Sequence, residues 1–366
     1  MSNNVTNILF AAGGTGGHLF PALAIADAIR EKRPDTVFLF VGTKGKIEAR
    51  AVPQRGYRFA PIWISGFHRG LRAENLLFPL KVLVSLVQSF FVIRRFRPHV
   101  VVGTGGYVCG PVLFVASLLR IPTVVHESNS YPGVTTRMLS SRATKVFTAF
   151  EATNKWLKRA DNVERVGTPT RQELDNRSKD ESIRFFGLDA GKKTVLVFGG
   201  SLGAHSMNRA MLGIVRHLAK AGIQFIWQTG EADSREIKEN VQGMNVGWVG
   251  PFIDRMDFAY AAADIVVSRS GATTIAELTR IGKPVILVPL PFSAAGHQAT
   301  NAKTVAEAGA AVIVADKDVD TKLEPSIREL LNNKATMDRM ARASKSLGTP
   351  SAGPLIAEKI LTLAAR

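Results

Sequence analysis

Along the chain, short apolar runs rich in β-branched residues alternate with segments of helical length whose apolar positions recur at three- and four-residue spacing. Residues 5–11, 36–41, 100–103, 123–126 and 145–148 read as strands. A second series follows at 194–198, 225–229, 246–250, 265–268, 285–288 and 311–314. Runs that are apolar throughout, rather than alternating, are buried on both faces, and in a strand–helix alternation that means parallel sheets covered by helices. The two series open alike, LFAAGGTGGH at 9–18 and LVFGGSLGAH at 196–205. Two such openings half a chain apart predict an α/β protein of two doubly wound, Rossmann-like domains facing each other. The most polar stretch, 161–193, lies between them and places a hinge near 167–171. Residues 350–366 read as one more amphipathic helix.

One helix breaks the pattern. Residues 76–93 (LLFPLKVLVSLVQSFFVI) are apolar except for Lys81, Ser85, Gln88 and Ser89, which fall on one narrow stripe at i, i+4, i+7 and i+8. The run is near the length of a spanning helix, but Lys81 inside it and Pro79 near its start argue against one. A core-packed helix and a helix whose apolar edge dips into a lipid surface both fit. The second is favoured by the basic flanks, with His68, Arg69 and Arg72 before and Arg94, Arg95 and Arg97 after.

Charge sharpens the contrast between halves. Through residue 160 there are 21 Lys/Arg against 7 Asp/Glu, a net of +14; the remainder has 26 against 23, a net of +3. A basic half implies an anionic partner. Zinc-finger spacing, an RNP-like aromatic strand and a contiguous Lys/Arg tract are all missing from the sequence, so nucleic acid is not expected. The single cysteine, Cys109, and a polar start unlike a signal peptide suit a cytoplasmic, reducing setting.

Glycine-rich turns carry the candidate chemistry. Gly13-Gly14-Thr15-Gly16-Gly17-His18 joins a strand to a helix, where glycines permit close approach and free N–H groups attract anions. It is not a dinucleotide turn. Leu19 stands where the third glycine of G-x-G-x-x-G belongs, and Gly42-Thr43-Lys44 supplies no acid for a ribose. The strongest signal is SRSGATTIAE at 268–277, a strand end, a glycine turn and a helix opening on small residues that let a diphosphate reach its N–H groups. Glu277, a turn into that helix, either serves the dipole or accepts both hydroxyls of a ribose. GGSLGA at 199–204 is a second cradle in the same half. His297, Gln298 and Asn301 follow a proline-stiffened loop and either cap a helix or read sugar hydroxyls. In the first half, Gly103-Thr104-Gly105-Gly106-Tyr107 and His126-Glu127-Ser128-Asn129 end strands, where open parallel sheets bind ligands. His126 also suits a purely structural place. The sequence offers no H-x-x-x-H or cysteine cluster for a metal and no G-x-S-x-G elbow, and Asp316-Lys317-Asp318 reads as a solvated loop.

In order and spacing, GGTGGH (13–18), GTGGYVCGP (103–111), HESN (126–129), VGTPTR (166–171), GGSLGA (199–204), FID (252–254), SRSGATTIAE (268–277) and HQxxNA (297–302) resemble the MurG family. These are the N-acetylglucosaminyltransferases that convert lipid I to lipid II in peptidoglycan synthesis. The resemblance implies a GT-B fold with an interdomain cleft. Residues 1–166, with 350–366 packing back, would form an N-terminal acceptor domain peripheral to the cytoplasmic face of the membrane. Residues 167–349 would bind UDP-GlcNAc. It implies inverting transfer of GlcNAc to the 4-hydroxyl of MurNAc, with no cofactor and no metal. Carried over by motif, the Ile253 backbone would read uracil and Glu277 the ribose. Ser201 and the backbone of Ala272, Thr273, Thr274, Ile275 and Ala276 would hold the diphosphate. Gln298 and Asn129 would read GlcNAc, with Arg171 at the hinge edge and Thr15, Gly16 and Gly17 closing over the donor. Gly14, Gly105, Gly106 and Tyr107 would take the acceptor, so that the opening turn cradles its anionic head. His18 and Glu127 are the candidates for general base. Leu202 and Ser128 stand where the family usually has Gln, and Thr168 where Asn is common. The implied partners are UDP-GlcNAc, lipid I, an anionic membrane surface, and other cell-wall and division proteins. Competing readings are transfer to another lipid such as diacylglycerol, a non-catalytic sugar-nucleotide-binding scaffold, and an epimerase, which would leave the basic half unexplained.

Overall fold

The computed structural model describes residues 5–66, 76–293 and 296–365. The chain divides into two compact units, residues 1–170 with 349–366, and residues 171–348. The boundary thus falls between Thr170 and Arg171.

Unit 1 runs β1 (Asn7–Ala11), α1 (Gly16–Lys32), β2 (Val37–Gly42), α2 (Ile47–Gln54), β3 (Arg58–Pro61), α3 (Phe78–Phe96), β4 (Val100–Gly103), α4 (Cys109–Leu118), β5 (Thr123–Glu127), α5 (Val134–Leu139), β6 (Lys145–Thr148) and β7 (Val163–Arg165). Its described residues form one parallel sheet in the order β3-β2-β1-β4-β5-β6-β7. Register is fixed at the centre by Leu9 opposite Leu39 on one side and Val101 on the other. The two edge strands, β3 and β7, were not legible as apolar runs. RFAP and VER are short, charged and nowhere fully buried, and only hydrogen bonding to β2 and β6 makes them strands.

Unit 2 runs α6 (Lys179–Phe185), β8 (Lys193–Phe198), α7 (His205–Lys220), β9 (Ile223–Gln228), α8 (Ser234–Val241), β10 (Gly247–Gly250), α9 (Met256–Ala262), β11 (Ile265–Ser268), α10 (Ala272–Ile281), β12 (Val285–Leu287), α11 (His297–Glu307), β13 (Ala311–Ile313), α12 (Val319–Asn332) and α13 (Lys334–Ser346). Its parallel sheet has the order β10-β9-β8-β11-β12-β13. The chain then re-enters unit 1 as α14 (Ala352–Ala364).

In each sheet the order of strand addition reverses beside the first strand, β1 or β8, and the glycine turns 13–18 and 199–204 leave from the carboxyl ends of those strands. That is the crevice where doubly wound sheets bind ligands. Helix α1 departs from the amphipathic expectation. Leu19, Ala22, Leu23, Ala24, Ile25, Ala26, Ala28 and Ile29 are all buried. One flank of the helix packs on the sheet, and Ile356, Ala357 and Ile360 of α14 cover the other. A helix apolar nearly all round is what such double coverage requires.

Candidate functional site

In unit 1 the two glycine turns interlock. A side chain on Gly105 would collide with the His18 ring, and one on Gly106 with the carbonyl oxygen of Gly13. Both glycines sit at positive φ, 111° and 85°. The His18 imidazole therefore lies on bare backbone, and Thr104 Oγ1 anchors its main chain by donating to the His18 carbonyl at 2.7 Å. Tyr107 lies against Gly14, where a Cβ would come within 3.0 Å of its ring. His18, Gly14, Gly105, Gly106 and Tyr107 are thus brought together. Thr15 takes the extended conformation of an N-cap, and Gly16 and Gly17 open α1.

Two expectations for this unit change. The Gly14 N–H is not presented to a ligand; it donates to both carboxylate oxygens of buried Glu48 at 3.2 Å. That weakens the turn as an anion cradle at this point. Glu127, a candidate base, is 4% exposed and accepts four hydrogen bonds. Oε1 takes the Asn129 N–H at 3.0 Å and Asn129 Nδ2 at 2.9 Å, and Oε2 takes the Gly133 N–H at 3.0 Å and Thr136 Oγ1 at 2.7 Å. A carboxylate has about four lone-pair directions, so Glu127 is fully committed to shaping residues 127–136 and is corrected to a structural group. His126 is completely buried, with Nε2 2.9 Å from the Gly167 carbonyl oxygen and Ser128 Oγ 3.4 Å from Nδ1. Burial, against that hydrogen bond, lowers its pKa from the usual histidine range. Asn129 keeps its Oδ1 for a ligand hydroxyl or N–H.

In unit 2, Gly271 caps α10, and Ala272, Thr273, Thr274, Ile275 and Ala276 form its first turn. Ser270 Oγ donates to the Gln298 carbonyl at 2.8 Å and Asn301 Nδ2 to the Ser270 carbonyl at 3.3 Å, which ties α11 to this turn. Gln298 accepts from the Leu290 N–H through Oε1 at 3.0 Å, leaving its Nε2 to donate. Glu277 is buried, not open to solvent. Arg171 Nε donates to Oε1 at 2.9 Å, Arg171 Nη2 to Oε2 at 3.1 Å, and the Tyr260 hydroxyl to Oε2 at 2.9 Å. Three of about four lone-pair directions are used, so Glu277 has one direction left for a further donor in this arrangement, not two. Burial and then the Glu277 charge push the Tyr260 phenol well above its ordinary value, which keeps it a donor. Burial works against the Arg171 charge, but Glu277 beside it outweighs this and holds the guanidinium above its usual range.

Ser201 lies in the turn 199–204, and Leu202 beside it is 81% exposed. Gly203 approaches the backbone of Thr229 and Gly230 so closely that only glycine fits. One residue tying this turn to the loop at Ile253 escaped the sequence reading. Gln228, at the end of β9, donates through Nε2 to the Gly200 carbonyl at 2.9 Å and accepts through Oε1 from the Ile253 N–H at 2.9 Å. The Ile253 N–H is therefore taken, which leaves its carbonyl as the backbone group that could meet a ligand. Asp316 is not a solvated loop residue: it pairs with Arg269 at 2.6 Å and accepts from Ser206 at 2.7 Å, while Asp318 pairs with Lys322 at 2.9 Å.

The chain matches the glycosyltransferase family 28 N-terminal domain over residues 8–148 and the corresponding C-terminal domain over residues 194–354. It is 41% identical over 362 residues to the UDP-N-acetylglucosamine–N-acetylmuramyl-(pentapeptide) pyrophosphoryl-undecaprenol N-acetylglucosamine transferase of Flavobacterium psychrophilum, covering 97% of each chain. The chain belongs to the MurG family. A Prosthecochloris aestuarii enzyme of the same name is 42% identical, over 98% of this chain and 99% of its own. The crystal structure of Acinetobacter baumannii MurG superposes with a TM-score of 0.71 at 27% identity, over 98% of this chain and 99% of that one. A UDP-GlcNAc 2-epimerase from Neisseria meningitidis, bound to UDP-GlcNAc, shares the fold at 14% identity and a TM-score of 0.68, over 98% of this chain and 100% of its own. The MurG-family chain has the GT-B fold. Gln228 and Tyr260 could not have been singled out from sequence, because each earns its place through partners 25 and 17 residues away that only the sheet brings close.

Proposed function

We propose that this chain is a UDP-GlcNAc-dependent N-acetylglucosaminyltransferase that converts lipid I to lipid II, with the donor held by unit 2 and the acceptor by unit 1. The activity follows from membership of the MurG family across nearly the whole chain. In the donor unit, the first turn of α10 and the turn 199–204 direct N–H groups toward the diphosphate. Both stabilise the UDP leaving group as its charge develops. Ser201, with the backbone from Ala272 to Ala276, holds that diphosphate, the Ile253 carbonyl faces uracil N3–H, Glu277 accepts one ribose hydroxyl, and Arg171 fixes Glu277. Gln298 Nε2 and Asn129 Oδ1 read the GlcNAc.

The reaction is a single inverting displacement. The 4-hydroxyl oxygen of MurNAc attacks the anomeric carbon, the bond from that carbon to the diphosphate oxygen breaks, and UDP departs with the electron pair. His18 takes the hydroxyl proton. With Glu127 committed to four hydrogen bonds, His18 is the base this unit offers, histidine being the side chain best suited in general to take a proton near neutral pH. Thr15, Gly16 and Gly17 present α1's first turn beside it, and Gly105, Gly106 and Tyr107 line the acceptor side. His18→Ala should abolish lipid I turnover, followed as radiolabel moved from UDP-GlcNAc, while UDP binding by calorimetry stays unchanged. Equal loss of UDP binding would refute the assignment.

The acceptor is membrane-borne, and α3 carries the docking surface. Its polar stripe faces inward. Ser85 and Ser89 are buried and bond back to the carbonyls of Val82 and Ser85 at 2.7 and 2.6 Å, Gln88 accepts from the Trp63 N–H at 2.7 Å, and Lys81 donates to Ser65 at 3.1 Å. The apolar side, Leu80, Leu83, Val87, Phe90 and Phe91, is exposed. Exposed apolar rows beside Arg94, Arg95 and Arg97 suit an anionic leaflet. Residues 67–72, the other basic flank, lie outside the described residues. Among the described residues no helix is long and apolar enough to cross a membrane, and α3 serves a peripheral attachment at the cytoplasmic face.

A further inference from the structure

Glu48 is 1% exposed on the second position of α2, and the backbone is cut away around it. A Cβ on Gly13 would stand 2.6 Å from Glu48 Oε1, and one on Gly42 would stand 2.5 Å from its Cγ. Each group bonded to the carboxylate donates: the Gly14 N–H at 3.2 Å, the Thr43 N–H at 3.0 Å and Thr43 Oγ1 at 2.8 Å. Among the described residues no Lys or Arg pairs with it. A carboxylate out of water and matched only by neutral donors is a costly way to hold a turn.

A trans peptide points its carbonyl opposite to its N–H. With the Gly14 N–H directed to Glu48, the Gly13 carbonyl is directed the other way, onto Gly106, where no side chain could fit. Gly106 and Gly105 form the bare surface on which the His18 ring rests. On the other side, Thr43 Oγ1 lies 3.4 Å from the Tyr107 hydroxyl, and Tyr107 packs on Gly14. One buried carboxylate thus fixes both glycine turns and, through them, the imidazole and the phenol.

We propose that Glu48 is a positioning residue for the acceptor half of the reaction, holding the Gly13–Gly14 peptide so that His18 and Tyr107 meet the acceptor hydroxyl in register. The inference rests on the reading of His18 as the base. Glu48→Gln keeps the shape but turns an NH2 toward groups that also donate, so the peptide must shift. A misplacement of the order of 1 Å at a reacting group costs about 100-fold, and the expected result is a fall of about that size in kcat/KM for lipid I, with the UDP dissociation constant unchanged. Thr43→Val, which removes one donor and the contact to Tyr107 while keeping the carboxylate, should lower the same parameter by a smaller factor. A general loss of folding would weaken UDP binding in parallel and would overturn the proposal. So would lipid I turnover by Glu48→Gln equal to that of the unaltered chain while His18→Ala is inactive. If His18→Ala turns lipid I over normally, the underlying assignment of the base fails instead, and Glu48 with it.

Discussion

Glu277 is asked to do two things, and a pair of substitutions separates them. Glu277→Ala removes the acceptor for one ribose hydroxyl and also strands Arg171, a guanidinium 7% exposed whose fork is closed on that carboxylate. Breaking a buried ion pair from one side typically costs about 3–5 kcal/mol, whereas replacing both partners by apolar groups is close to neutral. For a domain of unit 2's size that is a loss of about 6–20 °C in its melting temperature. Glu277→Ala combined with Arg171→Met should recover most of this loss, because no buried charge is left alone. Donor affinity should not recover. One hydrogen bond to a charged acceptor is worth about 1.5–3 kcal/mol, or about 10- to 150-fold in the dissociation constant. Calorimetric titration with UDP, at a temperature where both variants are folded, reads that loss directly. Titration with a 2′,3′-dideoxy analogue should show no difference between the unaltered chain and the double variant. If the double variant binds UDP as the unaltered chain does, Glu277 serves the ion pair alone and the ribose contact is wrong.

Three further expectations follow from particular contacts. Gln228→Glu can still accept from the Ile253 N–H but can no longer donate to the Gly200 carbonyl; it should weaken UDP binding about 10-fold or more while leaving lipid I KM unchanged, and equal affinity would remove Gln228 from the donor site. His126 is buried with a lowered pKa, so the unfolded chain binds more protons than the native one below about pH 6.5; stability on this account is full above that pH and falls as the pH drops, by up to ~1.4 kcal/mol per unit. Urea unfolding of the unaltered chain and His126→Asn between pH 7.5 and 5 should show the gap between them narrowing, and a constant gap would refute it. Leu83→Ser with Phe91→Ser should cut sedimentation with phosphatidylglycerol vesicles while leaving UDP binding intact; undiminished vesicle binding would take α3 out of the membrane face.

The central strands were legible because burial on both faces leaves a continuous apolar run, as in β4 (VVVG) and β8 (KTVLVF). Edge strands lack that signal, which is why β3 and β7 went unseen. Helix α3 shows the limit of reading polarity from one helix alone. The stripe of Lys81, Ser85, Gln88 and Ser89 was visible, but which face of the helix it occupied was not. Its direction depends on serines that can satisfy themselves on their own helix and on a loop, Trp63 to Ser65, that happens to need two polar partners there.

The carboxylates make the same point about the site. Glu127 and Glu277 stood out in sequence as acids at strand ends and helix starts, which identifies the neighbourhood of a ligand but not what each oxygen is doing. That is set by how many of its lone pairs the fold has already taken. Glu277's strongest donor lies 106 residues away, and Glu127's four come from within nine residues but only once the loop has closed over it. Glu48 followed no glycine motif and was invisible, yet it is the acid on which the opening glycine turn closes. A buried carboxylate with every lone pair filled shapes a site, and by that criterion Glu127 belongs to the architecture of unit 1; Glu48 and Glu277, each with three donors, are told apart by their partners, backbone and hydroxyl donors of the glycine turns for Glu48 and a guanidinium and a phenol for Glu277. The imidazole of His18, resting on Gly105, is the group to which the proposed mechanism gives the proton.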